Sequence, residues 1–263
     1  MRLVYATLVG GLLATCVGCA HGPLPPPITA HSSRPVGDPS AARVLALEPR
    51  FLEVEASDSI PALVGLADEL GVRSDANEPW GLYLRARALL RLAVVARFER
   101  DHGIATSAND EEQATAWIAS GIAVIERALT MEDNVSEFHR VRGELYALRI
   151  RSVGAGLRHG STVTSALDRA RVLDPENPYV HLALGKRYLF APRLLGRNDD
   201  TALAFFEHAR DLAPSLGEAW FYLAACHEQR SQLEAALSCV ERCLELQPGR
   251  RMAEILRDSL SGR

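Results

Sequence analysis

Apolar residues recur at three- and four-residue intervals through most of the chain, and the runs stop at prolines. Between Pro79 and Pro175 lie 95 residues without a proline, a stretch suited to long helices, whose interiors exclude that residue. Beyond it the breaks become regular. Asp174-Pro175 is followed by Ala213-Pro214 and Gln247-Pro248, at separations of 39 and 34 residues. Each closes an apolar-periodic run with a similar ending: Ala170–Asp174, Ala209–Ala213 and Cys243–Gln247. A period near 34 marks internal repetition of a two-helix unit.

The spacing inside the units gives a family likeness. Residues 217–250 carry Trp220, Leu223, Ala224, His227, Ala236, Val240, Cys243 and Pro248. This resembles the tetratricopeptide repeat (TPR), with Ala224 in place of its glycine, His227 of its tyrosine and Val240 of its aromatic. Residues 178–214 give a second match, through Leu184-Gly185, Tyr188, Ala202, Phe206, Ala209 and Pro214. There, five extra residues fall between the helices, within Ala191–Asp200. A degenerate repeat spans 136–175, with Gly143, Tyr146, Leu167 and Ala170 and about eight surplus residues around Gly154–Gly160. Residues 77–133 place Trp80 on one helix and Trp117, Gly121, Ile125 and Ala128 on another, joined by a long loop near 102–110. Residues 41–73 hold one or two further helices broken at Pro49 and Pro61.

The resemblance implies an all-α fold, a right-handed solenoid of TPR-like hairpins. Its parts are an irregular helical region at 41–135, repeats over 136–250 and a capping helix at 251–263. In that register Trp220 and Tyr188 are core residues. Local signals mark helix starts: Asn177 before Pro178, Ser215 with Glu218, Ser231 with Glu234, and the acids after Asn109.

The first forty residues read differently. Arg2 precedes an apolar run, Leu3–Val17, too short to span a bilayer comfortably but suited to a signal peptide over 1–18. The run ends in Cys16-Val17-Gly18-Cys19, which resembles the lipobox of bacterial lipoproteins and implies acylation of Cys19. A second frame, Leu13-Ala14-Thr15-Cys16, stays open, as does an ordinary signal or uncleaved anchor. Residues 19–40 are rich in proline, from Pro23 to Pro39, and read as a semi-extended tether. The expected location is the bacterial envelope, lipid-anchored in the outer membrane and facing the periplasm if the source is Gram-negative.

Composition agrees with helix: Ala and Leu supply 75 of the 263 residues, and aromatics only 6%. A net charge of −4 gives no electrostatic footprint for nucleic acid. No HExxH, GxSxG, GxxxxGK(S/T) or GxGxxG motif occurs, no CxxC occurs beyond the Cys16–Cys19 run, and the eight histidines are scattered. We therefore expect no enzyme activity, catalytic residue, metal site or cofactor. The charge runs read as solvated helix faces. Cys226, Cys239 and Cys243 are read as core thiols, with an inter-helix disulfide open in an exported compartment.

The TPR likeness implies a protein or peptide partner on the concave face, with the membrane reached through the N-terminal lipid and homo-oligomerisation left open. Carried over from the register, the groove-facing residues are Tyr179, Lys186, Leu189 and Phe190, then Phe221, Ala225, Glu228 and Gln229. Leu189 and Phe190 have a second reading, as packing for the 191–200 insertion. That insertion is read either as a binding loop or as a length variant that packs Leu194 and Leu195 inward. Its character also resembles TPR lipoproteins associated with TRAP-type solute transporters, which implies handling of a small solute through a cleft or pore. Two functions follow: an interaction scaffold in the envelope, and, as the alternative, a transporter accessory.

Overall fold

The computed structural model describes residues 50–73, 78–104 and 110–262. The signal segment, Cys19 and the 19–40 tether lie outside the described residues, as do 41–49 and most of the 102–110 loop. Among the described residues the fold is all-α, without a strand. The helices are α1 (residues 50–57), α2 (Ile60–Arg73), α3 (Pro79–Asp101), α4 (Asp110–Met131), α5 (Ser136–Leu148) and α6 (Val153–Leu173). After them come α7 (Pro178–Phe190), α8 (Asp199–Leu212), α9 (Gly217–Gln229), α10 (Leu233–Leu246) and α11 (Arg251–Ser261). None is long and apolar enough to cross a membrane. The described residues form two compact units: those from 50 to 176 together with Arg250–Met252, and Asn177–Gly249 together with those from Ala253 onward. The division falls inside the stretch read from sequence as one array.

In the second unit the repeat signature becomes packing. Helix α7 packs on α8, α9 on α10, and α8 and α7 on α9. Gly185 lets α7 approach α8 closely, because a Cβ there would fall inside van der Waals contact of the Phe206 ring. Phe206, in turn, stacks on Tyr222 of α9 at 5.6 Å. Ala202, Phe206, Ala209, Ala236, Val240 and Cys243, all at repeat positions, are buried. Asn177 caps α7 through Tyr179 N at 2.9 Å, with Pro178 in the first turn, as the sequence predicts.

Other sequence expectations need correction. Ser215 and Ser231 are not N-caps. Helix α9 begins after Leu216, and Glu218 turns instead to Lys186 at 3.8 Å. Ser231 takes φ +57°, the left-handed residue that closes α9, so α10 starts only after Gln232. Trp220 and Tyr188 are half-buried rather than core. The Trp220 indole folds over the α8–α9 turn and donates Nε1–H to Pro214 O at 2.9 Å. Tyr188 stacks on Phe205 at 5.8 Å at the edge of the α7–α8 hairpin.

The first unit repeats the hairpin theme in α5–α6. A Cβ on Gly143 would lie 2.8 Å from Leu167 Cδ2, so these helices also close over a glycine. The eight surplus residues become extra helix: α6 has 21 residues against 13 in α5. Here the charges are not solvated, contrary to the sequence reading. Glu137, Arg140 and Glu144 of α5 and Arg87 of α3 are buried. Arg140 donates to Glu137 through Nε (2.8 Å) and Nη2 (2.7 Å), and to Glu144 through Nη1 (2.5 Å). Tyr83 donates its hydroxyl to Glu137 at 2.7 Å and accepts from Arg87 at 3.1 Å. Arg87 reaches on to Glu55 of α1 with Nε at 2.7 Å. Three helices are thus cross-braced by one ionic chain. Burial opposes ionisation of Glu137, but the charges and hydrogen bonds of Arg140, with help from Arg87 and Tyr83, hold its carboxyl at about 2. A second buried acid, Asp58, pairs with Arg91 and Arg250 and accepts from Met252 N at 3.1 Å.

Candidate functional site

Helices α7 and α9 are the first helices of their hairpins and pack against each other. Lys186, the only lysine of the chain, lies seven residues beyond Tyr179, two helical turns along one face of α7. Its Nζ stands 4.9 Å from the centre of the Tyr222 ring and 3.8 Å from Glu218 Oε1. Phe190, one turn further, meets the same Tyr222 ring edge-on at 6.4 Å while remaining 56% exposed. The result is a small surface with an exposed aromatic, a half-buried cation and carboxylate, and a tyrosine that orders both. Such a mixture supplies an apolar anchor and an orienting charge pair.

The sequence-derived residues divide. Tyr179, Lys186, Ala225, Glu228 and Gln229 are half-buried and Phe190 is exposed, so each retains surface. Leu189 and Phe221 are 1% exposed and act as core, which removes them from any binding face. The carried-over register is one residue off on α9: Tyr222, not Phe221, faces Lys186 and Phe190. Tyr222 and Glu218 were missed because neither occupies a signature position of the repeat. The i,i+4 spacing of Glu218 and Tyr222 on the α9 face was the available signal.

The 191–200 insertion frames this face. It forms a short 3-10 turn at Arg193–Leu195, turns at Gly196 with φ +94°, and enters α8 through the Asn198 cap, bonded to Thr201 N at 2.9 Å. Arg197 pairs with Asp199 (2.9 Å) and donates to Gln229 Oε1 at 2.8 Å, while Asp200 pairs with Arg230. The insertion is therefore fastened to the end of α9 by polar groups. Leu194 does not pack inward but stands 85% exposed.

Cys226, Cys239 and Cys243 are buried, and burial pushes Cys226 up to about 12, so it stays protonated and unreactive at neutral pH. Among the described residues no group of three His, Cys, Asp or Glu is placed to hold a metal ion.

Comparison with known proteins gives a repeat-family match for one segment and a similar fold for most of the chain. The tetratricopeptide repeat model matches residues 217–250. A thermophilic TPR protein from Thermus thermophilus is similar in structure, with 19% identity, a TM-score of 0.60, and coverage of 84% of this chain and 99% of that one. YrrB, a TPR protein with an unusual peptide-binding site, aligns at 13% identity and TM-score 0.39 over 84% of this chain and 98% of its own. MamA aligns at 14% identity and TM-score 0.36 over 71% and 91%. No curated protein matches the sequence. Residues 217–250 thus match the tetratricopeptide repeat, within an all-α helical-hairpin fold similar to that of a solved TPR protein.

Proposed function

We propose that this protein is a non-catalytic interaction scaffold of the bacterial envelope, which holds a protein or peptide partner on the α7–α9 face. The supporting observation is the juxtaposition of exposed Phe190 with the Lys186–Glu218 pair around Tyr222. An extended segment presenting one apolar side chain beside a polar or charged group fits that surface. The fold supports an interaction role, since paired helices of this kind present side chains on one shared face. Placement in the envelope rests on the sequence of residues 1–40, with Cys19 acylated and the proline-rich segment as tether.

Two experiments test the reading. Phe190→Ala with Lys186→Glu should leave the helical spectrum intact and abolish recovery of a partner from solubilised envelopes, and unchanged recovery would remove the α7–α9 face as the working surface. Metabolic palmitate labelling should tag the wild type and disappear in Cys19→Ser. Labelling lost only in Cys16→Ser would move the acylation site to the other frame.

A further inference from the structure

The surplus turns of α6 make an unusual surface. Tyr146, near the end of α5, stands beside His159 of α6 at 5.9 Å, so residues 153–158 run past the end of their hairpin partner. One side of this extension, Ala155 and Gly156, is buried, and Ser152 caps it through Ala155 N at 3.2 Å. The opposite side carries Leu157, 75% exposed, and Val153 one turn earlier, 41% exposed. Arg149, Arg151 and Arg158 flank them in sequence and are exposed. Arg151 shares Glu111 at 3.3 Å with Arg97 and Arg100, while Arg149 and Arg158 make no ion pair among the described residues. Residues 145–167 contain no Asp or Glu at all. Glu111, which meets Arg151, and Glu126, which acts on Tyr146, are already paired, the latter with Arg142 at 2.8 Å. His159 is held below its ordinary value by burial and then by the Arg149 and Arg158 charges, which reports the same positive field.

We propose that this tip of α6 docks on an anionic phospholipid surface, with Leu157 and Val153 entering the headgroup region and Arg149, Arg151 and Arg158 engaging lipid phosphates. A protruding turn offers little area to a folded protein partner, whereas a bilayer receives a convex apolar ridge without a matching pocket. Guanidinium groups suit phosphate, which they meet with paired N–H donors. The contact uses residues other than those of the N-terminal segment and the α7–α9 face, and would hold the α5–α6 end of its unit against the membrane.

The test uses the full chain carrying Leu157→Trp and vesicles of equal parts phosphatidylglycerol and phosphatidylcholine with brominated acyl chains. Tryptophan quenching should exceed that of the wild type, and should vanish on pure phosphatidylcholine. Adding Arg149→Gln and Arg158→Gln should weaken partitioning of the tip on the order of tenfold or more, because each basic residue near an anionic surface adds to the attraction. Val172→Trp, at a second exposed position of α6, is the control and should not be quenched. A matching helical spectrum establishes that each variant folds. Absence of extra quenching with Leu157→Trp, equal quenching on both lipids, or equal quenching with Val172→Trp would overturn the proposal. Partner recovery through Phe190 and Lys186 is read in a separate assay, so the two proposals fail independently.

Discussion

Residues 50–176 and residues 177–249 are both built from packed helix pairs around apolar cores, yet the earlier region adds a buried ionic chain that the later one lacks among the described residues. In the later region, glycine and alanine admit aromatic rings between helices, and Gly185, Phe206 and Tyr222 form one apolar column. In the earlier one, the α5–α6 pair closes in the same way over Gly143, but α1, α3 and α5 are joined by Glu55, Arg87, Tyr83, Glu137, Arg140 and Glu144. Apolar packing tolerates substitution by size. A buried ionic chain depends on every member, because a charge left alone in the interior keeps its desolvation cost without its compensation. The repeat region can therefore vary its exposed residues around a generic core, which suits a recognition surface, while the α1–α6 region is fixed by partners specific to it.

The largest expected effect breaks the ionic chain at its centre. Arg140→Met should cost about 3–5 kcal/mol in urea unfolding, since it strands Glu137 and Glu144. Replacing Glu137, Arg140 and Glu144 together by apolar residues of similar size should recover most of that loss, and failure to recover would mean the chain contributes more than mutual compensation. Acid offers the same test without mutation. The folded carboxyl of Glu137 sits at about 2 against an ordinary 4.5, so its contribution is present above the ordinary value and is lost as pH falls from there toward 2. Amides of α3 and α5 should lose hydrogen-exchange protection over that interval, by on the order of 2–3 kcal/mol, while those of α8 and α10 change little.

Smaller effects probe the apolar column. Gly185→Ala should destabilise the α7–α10 region by about 1–3 kcal/mol through overpacking against Phe206. Gly154→Ala, with open space around it, should cause no loss and register in the same melting experiment as neutral or slightly stabilising. Trp220→Ala should cost about 1–2 kcal/mol, less than the roughly 3–5 kcal/mol expected for Phe206→Ala, because the indole is only half-buried over its turn. Equal costs would restore Trp220 to the core.

These contrasts also explain what could be read from the chain. The α7–α10 hairpins were legible because small residues, aromatics and prolines recur at fixed spacing, and that spacing is the packing itself. The ionic chain was not, because Glu137, Arg140 and Glu144 sit at i, i+3 and i+7 on α5, as charges on a wet helix face also do. Only the hydrogen bonds to Tyr83 and, through it, Arg87 of α3, some fifty residues earlier, make them interior. The proposed binding face was half legible. Lys186, Phe190 and Gln229 follow from the repeat register, whereas Leu189 and Phe221 were lost to the core, and Tyr222 became visible only through its ring contacts. The insertion read as an ambiguous loop because its anchors, Arg197 to Gln229 and Asp200 to Arg230, join residues about thirty positions apart.

The central claim is that the α7–α9 face is the working surface. A photo-crosslinking amino acid placed at Phe190 in the full chain, and irradiated in intact cells, tests it most directly. A single discrete adduct that disappears with Lys186→Glu, and is absent when the same crosslinker replaces Val172, is the predicted result. No adduct at Phe190, or one unaffected by Lys186→Glu and matched at Val172, would contradict it.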